Sequence, residues 1–179
     1  MDLPGDELKL LKFLTEEKWP FHVNSSLTEE KTRGFIEGGI FNGPNNEPYW
    51  ILSADGSAVG LLRIEDLDDI GDGYPLFDLR IRSDARGQGV GKFALSWMAK
   101  YIFEKFPQQD KIAGTTRADN LAMRKVFKSC GFAKEAHYRN DWPTQGGQAV
   151  DGTMYSLLRA DWESGRTTPV NWNDETEDS

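Results

Sequence analysis

The chain has 179 residues, 38% hydrophobic and 28% charged, with a formal net charge of −8 and a sequence pI of about 4.8. That size and balance fit one globular domain with a real core, and the acidity argues against a nucleic-acid partner, which a basic patch would serve. One cysteine and two histidines exclude an internal disulfide and make no Cys/His zinc site, so we expect no metal, and no run of about eighteen apolar residues offers a membrane span.

The opening MDLPGDELKL is acidic and lacks a basic region followed by an apolar run, so we expect no signal peptide and a cytoplasmic protein. From Gly5 to Glu17, Leu8, Leu11 and Leu14 recur at three-residue spacing, which predicts an amphipathic helix with Asp6 as its cap; a strand over residues 8–13 is the alternative. Trp19-Pro20-Phe21-His22 then breaks the pattern. Its aromatics either pack under the first helix or wall an acceptor pocket. Thr28-Glu29-Glu30-Lys31 opens a second helix that runs through Phe35 and Ile36 to Gly38-Gly39. After a loop over residues 42–48, residues 49–52 and 59–64 read as strands around Asp55-Gly56, a hairpin signal. The acidic stretch from Glu65 to Gly73 is either a solvated turn or a collar that attracts an amine.

Phe77, Leu79 and Ile81 alternate with Asp78, Arg80 and Arg82, the period of a strand with one apolar face. A polar turn, Ser83-Asp84-Ala85, leads into Arg86-Gly87-Gln88-Gly89-Val90-Gly91, and a helical pattern follows from Lys92 to Phe106, stopped by Pro107. Strand, glycine-rich turn and helix N-terminus in succession make an anion site, because glycine lets the backbone approach a phosphate and the helix dipole favours it. Two familiar phosphate loops fail on named residues. A P-loop needs glycine where Arg86 stands and a hydroxyl where Phe93 stands. The dinucleotide fingerprint needs its third glycine where Lys92 stands.

Residues 111–116 read as a short strand. Ala118-Asp119-Asn120 caps a helix with Met123, Phe127 and Cys130 on one face, and Gly131 ends it. Residues 132–138 and 153–158 read as the last strands, with a polar loop at 139–150 between them. We expect one domain over residues 1–162 and a polar, acidic tail over 163–179.

The R-G-x-G-V-G run after a strand resembles the acyl-coenzyme A pyrophosphate loop of the GNAT superfamily of N-acetyltransferases. The segment NLAMRKVFKSCGF, Asn120 to Phe132, resembles that family's Asn-led helix and closing Gly-Phe, and it lies one helix and one strand downstream. The acidic hairpin and the closing Tyr-Ser-Leu-Leu-Arg strand are similar to the ribosomal-protein N-terminal acetyltransferase branch. The resemblance covers residues 47–160. It implies an α/β fold, a mixed and mostly antiparallel sheet with two splayed central strands, flanked by helices. It also implies that acetyl-CoA places its pyrophosphate on the amides of Arg86, Gly87, Gln88, Gly89, Val90, Gly91 and Lys92. Its pantetheine would pair with the backbone of Leu79, Arg80 and Ile81 and meet Asn120, with Met123 and Phe127 near the thioester.

Two departures bear on mechanism. Where many members carry a tyrosine general acid, this chain has Phe127; where others carry serine, it has Met123. The expected reaction is transfer of an acetyl group to a primary amine, on a small molecule or a protein N-terminus, by direct attack in a ternary complex. The candidate bases are Asp78 and the acidic residues just before its strand; Asp78 is the best placed in sequence, with a salt bridge to Arg80 or Arg82 as its other reading. We expect a monomer or homodimer with no nucleic-acid or membrane partner. The rival function is a non-catalytic acyl-CoA sensor.

Overall fold

The computed structural model describes residues 1–3 and 5–172. Helix α1 spans Glu7–Thr15 and buries Leu10, Leu11, Phe13 and Leu14, so the chain there is a helix and not a strand. The buried stripe is shifted from the expected one, since Leu8 is 73% exposed. Asp6 sits at the cap position, but its carboxylate accepts the Asp2 N–H at 2.9 Å and not an amide of the helix. Helix α2, Glu29–Glu37, starts as predicted: Thr28 accepts the Lys31 N–H at 3.2 Å. These helices and Trp19, whose indole N–H donates to Leu14 O at 3.0 Å, form one apolar cluster against Leu61.

Strands β1 (Glu47–Leu52), β2 (Ala58–Glu65) and β3 (Leu76–Ile81) make an antiparallel meander. Strands β4 (Lys111–Arg117), β5 (Ala133–Trp142) and β6 (Val150–Leu158) make a second sheet in the order β4-β6-β5. Between β3 and β4 runs α3, Val90–Lys105, which buries Ala94, Leu95, Met98, Ala99, Ile102 and Phe103 as the core of the molecule. It starts two residues earlier than its sequence pattern, because Gly89 in the left-handed region (φ 83°) turns the chain directly into helix. Helix α4, Leu121–Ser129, links β4 to β5.

The 139–150 stretch is not all loop. Strand β5 continues to Trp142, which pairs with Val150, and Asn140 takes a positive φ where the register shifts. Much of this arm is exposed, so no apolar alternation marks it; Asp151 closes it by accepting the Asn140 N–H at 3.0 Å and pairing with His137 at 2.7 Å. A last helix, α5 (Arg159–Ser164), escaped the sequence reading. Its Arg159 donates to Phe103 O, Phe106 O and Gln109 O at 2.8–3.0 Å, satisfying orphan carbonyls at and beyond the end of α3. Beyond it Thr168 donates to Asp161 at 2.5 Å and Thr167 to Gly131 O at 3.0 Å. Residues 173–179 of the expected tail lie outside the described residues.

The two sheets touch where β3 and β4 begin: Ala113 N–H points at Pro75 O at 3.5 Å. One residue further, the Phe77 ring lies over Gly114. A methyl group placed on Gly114 would stand 2.6 Å from Phe77 Cε1 and 2.9 Å from Phe127 Cζ. Gly114→Ala is therefore expected to lower unfolding free energy by about 1–3 kcal/mol, the usual cost of overpacking, read as a lower urea midpoint with an unchanged m-value.

Candidate active site

Past Gly114 the two strands part. Among the described residues strand β3 is paired only on its β2 side, where Arg82 N–H donates to Val59 O at 3.0 Å. Antiparallel pairing alternates, so Arg80 also turns its peptide groups to β2, while Leu79 and Ile81 turn theirs to the open edge. The backbone available to a ligand is thus that of Leu79 and the N–H of Ile81, whose carbonyl already accepts from Arg86 Nε at 2.9 Å. Arg80 contributes only its side chain, which corrects the expectation for its backbone.

The open edge borders a cleft of about 530 Å³. Its far wall is Asn120, Met123 and Val126 at the start of α4; its floor is Gly87, Gly89 and Gly91. Gly87 and Gly89 both have positive φ, and a side chain at either would point into open space, so the loop presents bare backbone. Gly91 serves packing: a Cβ there would stand 3.3 Å from both Ile81 Cδ1 and Val126 Cγ2. The first amides of α3 lack intrahelical acceptors, no side chain caps them, and the first turn holds no acid. With Lys92 and Lys125 on the same cleft, this end is built for an anion such as a pyrophosphate.

Three expected cofactor residues keep their side chains elsewhere. Gln88 Nε2 donates to Asp84 O at 2.7 Å, and Val90 packs on the core. Phe127 is fully buried, stacked 4.8 Å from Tyr155 and flanked by Phe77 and Phe132. It does not face the cleft, because the helix turns that side chain inward and presents Met123 and Val126 instead. Arg86 lines the cleft, but its guanidinium is committed to Ile81 O at 2.9 Å and Lys18 O at 3.1 Å. Asn120 lines it while capping α4: Oδ1 accepts from Met123 N–H at 3.2 Å and Nδ2 donates to Thr116 at 2.9 Å.

A second cavity of about 320 Å³ shares Phe21, His22, Leu79, Asn120 and Met123 with the first and adds Glu65, Asp78, Arg80 and Trp142. Of these, His22, Trp142 and the cleft lysine Lys125 were not singled out by sequence. His22 arrives on the loop between α1 and α2, where the density of aromatics was the signal; it says nothing of the partner 56 residues away. Trp19 packs in the core and also edges the cleft, and Phe21 walls both cavities, so both readings of that segment hold in part.

Asp78 has the salt-bridge character foreseen for it. Its carboxylate meets Arg80 Nε at 3.0 Å and His22 Nε2 at 2.9 Å, with Arg63 at 3.9 Å. Burial pushes its pKa up, but the charges of Arg80, His22 and Arg63 and the His22 hydrogen bond outweigh it and hold it far below the usual carboxylate range. A carboxylate so stabilised is a poor proton acceptor. Glu65, a quarter exposed and 2.7 Å from Arg63, behaves oppositely: burial raises its pKa to about 7, and Asp78 and Asp66 reinforce burial against Arg63 and Arg80.

Because Asp78 titrates lower folded than unfolded, its contribution to stability is fully present above about pH 4 and is lost as pH falls toward its folded value. Asp78→Asn leaves buried guanidinium groups facing a neutral amide. It is expected to cost about 3 kcal/mol at pH 7, with the gap to wild type narrowing below about pH 4 in urea unfolding.

Among the described residues no group of His, Cys, Asp and Glu is arranged to hold a metal, and no helix is long and apolar enough to cross a membrane. No curated protein sequence matches the chain. Solved structures do, at full-domain length. A chimera of the spermidine N-acetyltransferase SpeG from Vibrio cholerae and hSSAT aligns over 89% of this chain and 94% of its own, at 17% identity and TM-score 0.69. A structure described as a probable acetyltransferase aligns over 89% and 90%, at 21% identity and TM-score 0.72. Spermidine/spermine N-acetyltransferase SpeG from Vibrio cholerae aligns over 90% and 92%, at 16% identity and TM-score 0.69. At such identities the likeness shows a shared fold, the expected mixed α/β arrangement of antiparallel sheets flanked by helices. The model of the Acetyltransferase (GNAT) family matches residues 11–132, more than half of the sequence, and the chain belongs to that family of acyltransferases.

Proposed function

We propose that the protein transfers the acetyl group of acetyl-CoA to a primary amine, on a small molecule or a peptide N-terminus, by direct attack in a ternary complex. The observation that carries this reading is the meeting of two cavities at Leu79 and Met123. One is floored by bare backbone and an electropositive helix end, the other lined by carboxylates. A thioester reaching up the first cleft from the glycine loop ends where an amine from the second arrives.

The roles follow from the geometry. The amides of Gly87 to Lys92 take the pyrophosphate, and Lys92 and Lys125 add positive charge beside it. The outward peptide groups of Leu79 and the N–H of Ile81 hold pantetheine, and one of those amides polarises the acetyl carbonyl. Such a donor is worth about 3 kcal/mol where an oxyanion develops. Glu65 takes the proton from the incoming ammonium. The N–C bond then forms as the C–S bond breaks, coenzyme A departs as a thiolate, whose pKa of ~8.5 lets it leave without a protein acid, and the second proton of the nitrogen passes to that thiolate or to water. Asp78 holds Arg80 and His22 in place and is not the base. Domain and setting complete the proposal: an acetyltransferase domain that runs past the expected boundary at 162 to take in α5 through Ser164, acting in the cytoplasm as a monomer or homodimer, with no nucleic-acid or membrane partner. The net charge of −8 supports the choice of a cationic acceptor.

Thiol release from acetyl-CoA over a panel of amines tests the reading; tight acetyl-CoA binding with no release for any amine would overturn it in favour of a sensor. Glu65 is protonated below its pKa of about 7 and competent above it. kcat/KM should therefore rise with pH through about 7, and Glu65→Gln should remove that limb and lower the plateau about a hundredfold. Lys125→Glu should weaken acetyl-CoA binding about tenfold in titration calorimetry, and less at high salt.

A further inference from the structure

The second cavity holds charges of both signs side by side. Arg63 Nη2 lies 2.7 Å from Glu65 and 3.9 Å from Asp78, and Asp78 in turn accepts from Arg80 Nε at 3.0 Å. Glu65 and Arg80 are therefore the two ends of one short chain of ion pairs, and both face the same 320 Å³ space. Three polar atoms in that lining are shielded from solvent and have no partner among the described residues: His22 Nδ1, whose role depends on the ring's tautomer, and two donors, Arg80 Nη1 and the Trp142 indole Nε1. Arg80 is otherwise fixed, with Nε on Asp78 and its plane 5.4 Å from the Trp19 ring. Trp142 is fixed by the pairing of its strand with Val150. A buried donor without an acceptor is unfavourable, and a ligand that supplies the acceptor relieves it.

We infer that the acceptor is an α-amino acyl compound, a free amino acid or a peptide N-terminus, whose carboxylate or carbonyl oxygen is read by Arg80 and Trp142 while its amine faces Glu65. The inference rests on the acetyltransfer reading and narrows it. A polyamine brings only donors and positive charge, so it leaves both donors unanswered and sets a cation against Arg80. An amine with an oxygen two bonds from the nitrogen-bearing carbon matches the adjacent opposite charges and fits the volume. The chemistry is the transfer described above: the ammonium nitrogen gives one proton to Glu65, gains the acetyl group as the C–S bond breaks, and gives its second proton to the departing coenzyme A thiolate or to water.

The test measures thiol release from acetyl-CoA with matched acceptors, compared per concentration of unprotonated amine. Alanine represents the carboxylate, alaninamide and an alanyl dipeptide the carbonyl, ethylamine the amine alone, and spermidine the polyamine. The expected result is a kcat/KM for one or more of the oxygen-bearing acceptors about a hundredfold above ethylamine and spermidine, since a site built around hydrogen bonds rejects analogues that lack them. Alanine leading would identify the free amino acid; the amide and dipeptide leading would identify the peptide N-terminus. In Trp142→Phe the ratio to ethylamine should narrow about tenfold, while acetyl-CoA affinity stays within about twofold and reports a folded protein. Ethylamine or spermidine matching the oxygen-bearing acceptors, or an unchanged ratio in Trp142→Phe, would overturn the inference and leave the transferase reading standing. No release with any acceptor despite acetyl-CoA binding would overturn both.

Discussion

The arrangement depends on two strands that begin together and then refuse to pair. Ala113 and Pro75 set the starting contact, and Phe77 wedges its ring over Gly114 one residue on. The ring occupies the place where a side chain on β4 would otherwise stand, and Phe127 closes it from the other side. Each strand then keeps hydrogen bonds on one edge only, to β2 and to β6. An unpaired edge such as that of β3 is costly in a closed core; here it borders the cleft, where Arg86 already answers the Ile81 carbonyl. The glycine loop, both cavities and the direction of approach all follow from that gap.

Holding a gap open needs ties across its mouth, and the loop between α1 and α2 supplies them. Arg86 reaches from the glycine loop to Lys18 O at 3.1 Å, and Arg117 from the end of β4 to Pro20 O at 3.1 Å. Ser25 donates to Gln145 at 2.7 Å on the β5–β6 arm. Asp78 fixes the same loop from below through His22. Arginines from both half-sheets thus hold one strap by its backbone carbonyls, and the strap brings Phe21 and His22 to the wall shared by the two cavities.

Much of this was legible in the sequence because it is written in local chemistry. The alternation of residues 77–82, the glycines after it and Asn120 before a helix each act within a few residues, and the structure puts them where those rules place them. What escaped is set by distance or by solvent. The 139–142 extension of β5 is largely exposed, so its residues carry no apolar period. Helix α5 is six residues long, and it is held through Arg159 and Trp162 against α3, contacts that no short window of sequence contains. Phe127 matched a motif position, yet one step of helical rotation puts its ring in the core beside Tyr155.

The same limit bears on the two acids beside the second cavity. Asp78 and Glu65 look alike in sequence, two acids flanking one hairpin. In the fold both are largely buried and share Arg63, but Asp78 also gains Arg80 at 3.0 Å and the His22 hydrogen bond, which outweigh its burial, while at Glu65 burial and two like charges prevail. Their pKa values are driven apart in opposite directions from nearly the same starting point. Such a split separates a structural anion from a group poised near neutrality, the pattern by which paired carboxylates take different roles. The missing tyrosine fits the same logic. With a hydroxyl at position 127 pointing into the core, an acid there would donate to nothing in the cleft. A thiol of pKa ~8.5 needs such an acid less than an ammonium needs a proton acceptor, so the proposed chemistry places its demand on the amine side of the cleft.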